Sequence, residues 1–512
     1  MEKFFDWLDN IARINQENTL AKWLERIAFI FLILLVLSAP HSIAATQISW
    51  LCGMLAWFIR LFINPRPKFV KTPLNFVLLA FGLWSVFTSI FSYAPDISFD
   101  KLRGVGLFFI FFFVINNLRS NKAVIFLVSA LIFSCSVNVI WTPIQRIIGR
   151  GVEVSGVQKD SPLAKIAPHE NIGEKIKDGD TLLSINKTKI HSPEQLVEEI
   201  EKQGVVKLKV YRLDYEIKFE IRKTDLLPGE SAIEKLGISS WKKSRTWRSA
   251  GFYGHYTTYA EVLQMITSLI FGLLIAAFIN SQNRKMQIIL ATLLGAFLLA
   301  LLLTVTRASQ AAFFVSAFFI VLIGASRKVF LTLLLISLPI AAIGLYMLQK
   351  SRNVGFYDTS DNSITWRQTV YQEGFNLATN SPRHLLLGVG MDSIRRYAQE
   401  WHLFNDGKLP SSHFHSTPLQ LAVERGIPAL LIWLLIFWTY GSALWRKLKS
   451  EKLSDWRERG IILGAFGGMI GFFNSGLVHY NLGDGEIAMM FYLLMGLSVF
   501  LTTNETQSSR NP

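Results

Sequence analysis

The feature that most constrains this chain is a series of long, nearly uncharged apolar runs. IAFIFLILLVLSA (27–39), GLFFIFFFVI (106–115) and IILATLLGAFLLALLL (288–303) are examples. A helix needs about 20 apolar residues to cross the hydrocarbon core of a bilayer. Of the 512 residues, 51% are hydrophobic and only 17% are charged, which is too apolar for a soluble globular chain of this size. The sequence therefore predicts a polytopic α-helical membrane protein.

About twelve transmembrane helices are expected. They fall at about 27–44, 46–64, 73–92, 104–118, 122–141, 258–280, 285–305, 308–325, 329–348, 427–445, 459–479 and 484–503. The connecting loops that are rich in Lys and Arg all lie on one side of this count, and the positive-inside rule makes that side cytoplasmic. These basic loops also account for the net charge of +15, so no nucleic-acid partner is expected.

This topology divides the chain into seven segments. Both termini are cytoplasmic, and the two long hydrophilic stretches at 142–257 and 349–426 face outward. The predicted segments are a cytoplasmic interfacial helix (1–26), spans 1–5 (27–142), an inserted domain (150–225), spans 6–9 (250–348), a long outer loop (349–426), spans 10–12 (427–505) and a cytoplasmic tail (506–512).

The insert between spans 5 and 6 has the pattern of a small α+β domain. SPEQLVEEIEKQG (192–204) starts as a helix should, with Ser192 as N-cap and Pro193 at the first helical position. KLKVYR (207–212) and EIKFEIR (216–222) alternate as strands do. With DSPLAKI and GDTLLSINKTKI in their places, residues 150–225 resemble a bacterial PDZ domain of the type attached to periplasmic proteases.

The PDZ resemblance implies a partner. Such domains bind an extended peptide as an added strand and hold its carboxylate with backbone amides. The loop around Gly149, Arg150 and Gly151 would supply those amides here. The alternative is a domain used only for internal docking or assembly.

Several classes of chemistry have no motif in this sequence. Walker A, GxGxxG, EF-hand, HExxH and GxSxG patterns are missing, as is any cluster with metal-ligand spacing, so neither a cofactor nor a metal site is expected. Cys52 and Cys135, the only two cysteines, each lie inside an apolar run and predict no disulfide framework.

Charged and imidazole residues do occur at the outer ends of the later spans. His255 lies in GFYGHYTTYAEVL, which leads into the sixth span, Arg307 lies in LLLTVTRASQAAFF, and Arg367 begins a helical pattern. Each has an ordinary explanation: an interfacial histidine, a snorkelling arginine, or an arginine on a solvated helix. Placing an arginine near the bilayer centre nevertheless costs free energy, so such an arginine usually faces a partner or a cavity.

The most informative stretch is SSHFHSTPLQLAVERG (411–426). If Ser416 or Thr417 caps the following helix, His415 lies at its N-terminus, where the helix dipole disfavours a protonated imidazole. A neutral histidine is what a general base requires. Glu424 lies about two and a half turns further on, so it is expected to have a structural or arginine-pairing role rather than to contact His415.

Together these segments resemble the O-antigen ligase and polymerase family of bacterial inner-membrane glycosyltransferases. The resemblance rests on GHYTTYAEVL, TRASQAAFF, WRQTVYQEGFNLATNSPRHLLLGVGMDS and HSTPLQLAVERGIPALL, in the order in which the family has them. It covers about 25–142 and 245–505, and the PDZ-like insert departs from the usual architecture.

The resemblance implies metal-independent, inverting transfer of a glycan from undecaprenyl diphosphate to an acceptor hydroxyl at the periplasmic face of the inner membrane. In ligases the acceptor is lipid A-core. His415 would be the general base, with His413 as its competitor, and Arg307 and Arg367 would hold the diphosphate. His255 and Glu424 match positions with less settled roles, and Ser416 replaces the family's usual asparagine.

Rival functions remain open at this point. Within the same family, the chain could be an O-antigen polymerase or a protein O-glycosyltransferase. From other classes, it could be a transporter or flippase for lipid-linked saccharides, or a PDZ-bearing scaffold without catalysis. A transporter predicts paired inverted repeats with broken helices, and no such symmetry is visible in the sequence.

Overall fold

A computed structural model describes residues 2–166, 175–186, 188–212, 215–328, 331, 335, 362–409, 413–450 and 455–508. These residues form two compact units. The first comprises the described residues of 1–138, 252–302 and 306–512, and the second comprises those of 139–251 and 303–305. Each unit is described by itself.

The first unit is helical. Its helices before residue 139 are α1 (Glu2–Ala12), α2 (Thr19–Ser38), α3 (Ile43–Arg60), α4 (Pro73–Ile90), α5 (Pro95–Val105), α6 (Phe109–Asn117) and most of α7 (Asn121–Ile148). A 3-10 turn at Gly106–Phe108 separates α5 from α6. The expected N-terminal helix therefore forms as α1, and its position at a membrane surface stays a prediction.

The remaining helices of this unit lie after the insert. They are α11 (Tyr256–Ile279), α12 (Arg284–Leu303), α13 (Arg307–Gly324), α14 (Asn362–Thr379), α15 (Pro382–Leu387), α16 (Ile394–Tyr397), α17 (Thr417–Lys449), α18 (Trp456–Gly476) and α19 (Gly485–Ser508). A 3-10 turn at Asn481–Gly483 precedes α19.

Eight helices in the described part of the chain are long and apolar enough to cross a membrane, which fits a multi-pass membrane protein. They fall on eight of the twelve predicted spans. Of the other four, 27–44 falls on α2 and 459–479 on α18, while 104–118 is divided among the end of α5, the 3-10 turn and α6. The span 329–348 lies outside the described residues except for 331 and 335. The count of twelve stays a prediction.

Helices α11 and α18 pack with their backbones in close contact. A Cβ atom added at Gly464 would lie 2.5 Å from Leu269 Cα, and one added at Gly460 would lie 2.7 Å from Leu273 Cα. Small residues four apart allow such an approach, which is a common way to join helices in membranes. Helix α11 is largely enclosed by the protein, with 83% of its most apolar window buried.

The long segment before α17 forms its own small core. Helix α14 contributes Val370 and Leu377, and the turns after α16 contribute Leu403 and Phe404. Phe414, from the loop before α17, is fully buried in the same cluster. This core fixes the end of the histidine-containing loop against α14.

The second unit contains an antiparallel sheet. Its strands are β1 (Arg150–Ser155), β2 (Thr181–Ile185), β3 (Thr188–Lys189), β4 (Val205–Arg212), β5 (Tyr215–Arg222) and β6 (Ser240–Ser244). The order is β5-β4-β2-β1-β6, and β3 pairs with β2. Three helices accompany the sheet: α8 (Pro162–Lys165), α9 (Pro193–Gln203) and α10 (Ala232–Leu236). The architecture is α+β, and its identity as a PDZ domain stays a prediction.

A buried ion pair and the predicted helix start support this second unit. Arg212 Nε donates to Asp180 Oδ1 at 2.7 Å, and both side chains are less than 10% exposed. Ser192 is the N-cap of α9 and Pro193 its first residue, as the sequence predicts.

Residues 149–151, which were expected to form a carboxylate-binding loop, lie where α7 ends and β1 begins, and that role stays a prediction. Gly149 closes α7, because its amide donates to Gln145 O at 3.0 Å. Arg150 and Gly151 open β1, which lies between β2 and β6 and so has a paired strand on each side. The Arg150 guanidinium is stacked over the rings of Tyr211 and Trp247.

Candidate active site

The histidine pair lies in the short loop that leads into α17. Ser416 is the N-cap residue of this helix, with extended backbone angles (φ −150°, ψ 120°). His415 has a left-handed φ of 48°. This conformation costs a residue other than glycine about 1–3 kcal/mol and persists only where the surroundings hold the backbone. Several neighbouring side chains hold it here.

Two buried side chains of α17 support the loop from within the protein. Gln420 Oε1 accepts the Phe414 amide at 2.8 Å, and Gln420 Nε2 donates to Glu424 Oε1 at 2.9 Å. Glu424 Oε1 also accepts the Asp392 amide at 2.8 Å, and Glu424 Oε2 lies 3.4 Å from the Tyr480 hydroxyl. Glu424 thus ties the histidine loop to two neighbouring segments.

These contacts agree with a structural role for Glu424. Its side chain is 2% exposed and reaches the histidine loop only through Gln420. An arginine is also present, since Arg425 Nη2 lies 3.8 Å from Glu424 Oε2.

The two imidazole rings lie against one another. The His415 amide donates to His413 Nδ1 at 3.2 Å, and the ring centroids are 4.0 Å apart. Trp366 meets the His415 ring edge-to-face at 4.7 Å. The Tyr371 hydroxyl donates to the His415 carbonyl at 3.2 Å. Helix α14 therefore covers one side of His415.

Both histidines are held in the neutral form. Burial is the main cause that lowers the pKa of His415 to about 3, and nearby positive groups, including Arg367, lower it further. Burial likewise lowers the pKa of His413 to about 4, with a contribution from Arg395. A neutral imidazole at physiological pH has a nitrogen that can accept a proton.

The surroundings favour His415 over His413 as that acceptor. His413 Nδ1 is already occupied by the His415 amide. Among the described residues, no hydrogen bond involves either ring nitrogen of His415. A substrate hydroxyl could therefore approach His415 without displacing a protein group.

The other predicted site residues differ in their relation to His415. Arg367, half-buried on α14, and His255 both act on the pKa of His415. His255 is the exposed N-cap of α11, where its Nδ1 accepts the Thr257 amide at 3.2 Å. Arg307 is the exposed first residue of α13.

Ser416 occupies the predicted cap position, but its hydroxyl makes no capping hydrogen bond. The neighbouring Thr417 ties the loop to the segment after α18 instead. Its amide and its hydroxyl lie 3.1 Å and 3.0 Å from the His479 carbonyl oxygen.

Two features near the histidines were missed by sequence reasoning. His479 pairs with Glu261 of α11, with 2.9 Å between His479 Nδ1 and Glu261 Oε1. Arg395 acts on His413, and its Nε lies 2.9 Å from Asp392 Oδ1. His479 lies in GLVHYNLGD, which matches no motif, so only its isolation between two apolar helices could have indicated it.

Comparison with known proteins gives one family. Residues 292–434 match the family model described as O-antigen ligase. The matched range contains Arg307, Arg367, His413, His415 and Glu424, and it excludes His255 and the inserted unit. A search of curated proteins finds no match. The family match supports a ligase- or polymerase-like glycosyltransferase of the O-antigen ligase family.

Proposed function

We propose that this protein transfers a glycan from undecaprenyl diphosphate to an acceptor hydroxyl, as an O-antigen ligase does, at the periplasmic face of the bacterial inner membrane. The acceptor is lipid A-core or a similar molecule. His415 removes the proton from the hydroxyl, whose oxygen attacks the anomeric carbon. The bond to the diphosphate breaks, its electron pair stays on the leaving oxygen, and the configuration inverts.

The observation that carries this proposal is the state of His415. It lies at the start of a helix, neutral at physiological pH, within the range matched by the family model. In the described part of the chain no group forms a hydrogen bond with its ring nitrogens. A neutral ring nitrogen without a protein partner can accept a proton from a hydroxyl within hydrogen-bond distance.

Two arginines are assigned to the diphosphate. A guanidinium binds phosphate oxygens bidentately and stabilises the charge that develops on the leaving group without a metal ion. Arg367 acts electrostatically on His415, which favours a place close to the reacting atoms. Arg307 is exposed at the start of α13 and is assigned to the donor by the family resemblance.

The same site chemistry would serve an O-antigen polymerase, which extends another lipid-linked unit, or a protein O-glycosyltransferase. A transporter for lipid-linked saccharides would also use arginines, but it has no need for a neutral, unoccupied imidazole beside them.

The test is a reaction with purified full-length protein in lipid nanodiscs. The donor is a glycan linked to undecaprenyl diphosphate, and lipid A-core, a second lipid-linked unit and a peptide are offered as acceptors in separate reactions. Wild-type protein is expected to release undecaprenyl diphosphate and to form a glycosylated product with one of these acceptors. Arg367→Ala is expected to raise the KM for the donor by about tenfold or more, equal to about 1.4 kcal/mol.

A matched control is Arg396→Ala. Arg396 is an exposed arginine in the same segment, and its guanidinium binds Asp96 of α5 at 2.6 Å. This variant should keep the wild-type KM for the donor. Movement of the lipid-linked saccharide across proteoliposomes without glycan transfer would overturn the proposal and favour the transporter.

We also propose that the inserted unit binds an extended peptide. The observation behind this is β6, which pairs with β1 and ends the described sheet. The exposed Lys243 lies on this strand and favours an acidic peptide, and the neighbouring Lys242 is paired with Glu153 at 3.1 Å. Full-length protein should bind an acidic peptide more tightly when its C-terminus is a free carboxylate than when it is amidated. Equal affinity for both would contradict carboxylate recognition.

A further inference from the structure

A second imidazole at this site is held by a carboxylate. His479 Nδ1 lies 2.9 Å from Glu261 Oε1, and the Ser475 hydroxyl donates to Glu261 Oε2 at 3.0 Å. A carboxylate accepts hydrogen bonds, so the neutral His479 ring carries its hydrogen on Nδ1 and leaves Nε2 as the basic nitrogen. Glu261 is 1% exposed, so this pairing lies inside the protein.

The basic nitrogen of His479 is available. Within the described part of the chain, every hydrogen bond of the His479 side chain involves Nδ1. The side chain is 14% exposed, which leaves access to a small group.

His479 belongs to the same assembly as His415. The His479 carbonyl accepts hydrogen bonds from Thr417, two residues after His415. The Tyr371 hydroxyl lies 3.2 Å from the His415 carbonyl oxygen and 3.5 Å from that of Leu477. These links hold the two histidine-bearing loops together.

The two imidazoles differ in how well they can keep a proton. His415 has no carboxylate partner among the described residues, and its surroundings disfavour its cationic form. His479 has Glu261, whose negative charge would balance an imidazolium. A histidine oriented and balanced by a carboxylate is a recurring arrangement for general base catalysis.

We propose that His479, oriented by Glu261, takes up the proton that His415 removes from the acceptor hydroxyl, and holds it while the diphosphate leaves. This inference rests on the function proposed above. The hydroxyl O–H bond breaks, and the proton moves from His415 to His479 Nε2 through water, because no hydrogen bond between described groups joins the two rings. The oxygen forms its bond to the anomeric carbon, and the bond to the diphosphate breaks with the electron pair on the diphosphate.

The charged and titratable groups around His479 define what a pH experiment would report. Glu261 faces it from α11, and His413 and His415 face it from the loop before α17. Asp484 interacts electrostatically with the Glu261 carboxylate. Burial lowers the pKa of His415 to about 3 and that of His413 to about 4, so both stay neutral across pH 5–8 and a change in rate within that range has another origin.

The test measures kcat and KM of the full-length protein between pH 5 and 8 with the donor and acceptor used above. His479→Ala is expected to lower kcat by about 10²-fold with little change in either KM, because the loss falls on proton transfer. Glu261→Gln is expected to lower kcat as well, because His479 loses the carboxylate that orients its ring. Added imidazole should restore part of the activity of His479→Ala.

A matched control is His402→Ala. His402 also lies beside a carboxylate, with 2.8 Å between its Nδ1 and Asp406 Oδ1, but its side chain is 82% exposed. This variant should keep the wild-type kcat and pH profile. If Glu261→Gln fails to fold, the imidazole rescue of His479→Ala tests whether His479 takes part in proton transfer.

The outcomes separate this inference from the proposed function. If wild-type protein transfers no glycan, the proposed function is wrong. If wild-type protein transfers glycan but His479→Ala keeps its kcat, or loses activity equally at every pH without rescue by imidazole, then His479 has no part in moving the proton.

Discussion

Glu424 offers a sharp test of how the histidine loop is held in place. Replacing it by alanine removes the acceptor for two well-formed hydrogen bonds, from the Asp392 amide at 2.8 Å and from Gln420 Nε2 at 2.9 Å. A buried donor left without an acceptor costs about 1–3 kcal/mol. Two such donors give an expected loss of about 2–6 kcal/mol in the free energy of unfolding.

The assay is thermal unfolding of purified full-length protein, followed with a thiol-reactive dye. Cys135 is fully buried and becomes reactive as the protein unfolds. Glu400→Ala is the matched control, because Glu400 is exposed in a nearby segment and its loss should change the free energy by no more than about 0.5 kcal/mol. If Glu424→Ala unfolds at the same temperature as Glu400→Ala, Glu424 does not hold the loop as described.

Three further substitutions test separate parts of the structure. Gly388→Ala should lower the unfolding temperature far more than Gly407→Ala. Both glycines have a positive φ. A Cβ atom added at Gly388 would lie 2.3 Å from the Glu424 carbonyl carbon, while one added at Gly407 would face open space. Equal effects of the two substitutions on the unfolding temperature would contradict this packing. Arg212→Ala should destabilise the inserted unit by about 3–5 kcal/mol by leaving Asp180 buried without its partner, seen as faster amide exchange in β2 and β4. The exposed Arg222→Ala should leave exchange unchanged, and equal protection in the two variants would refute the role of the pair. Tyr371→Phe should lower kcat about 2–10-fold through loss of the hydrogen bond to the His415 carbonyl, and an unchanged kcat would show that this contact is dispensable.

Features that depend on neighbouring residues, such as the positions and starts of helices, could be predicted from the sequence. Apolar length predicted eight helices that the structure describes, and the Ser-Thr-Pro step predicted a helix capped by Ser416 or Thr417, of which Ser416 is the N-cap of α17. In the insert, Ser192 and Pro193 predicted the start of α9 for the same reason. These features depend on residues within a few positions of each other, so a single sequence contains them.

Contacts between residues that lie far apart in the sequence could not be predicted from it. The pairing of β1 with β6, whose residues lie about 90 positions apart, was not predicted. The Glu261–His479 pair joins residues 218 positions apart, and neither lies in a motif that predicts the other. Glu424 could be excluded as a direct partner of His415 from helix geometry, but its bond to the Asp392 amide depends on the tertiary fold.

The most direct test of the central claim compares His415→Ala with His413→Ala in the glycan-transfer reaction. The two histidines are adjacent in space and both neutral at physiological pH, so they differ mainly in which ring is open to substrate. We expect His415→Ala to release no undecaprenyl diphosphate above background. His413→Ala should retain a measurable rate, because it removes contacts with the His415 amide and with the rings of His415 and Tyr480 but leaves the proposed base in place. Full turnover by His415→Ala would show that His415 is not the base.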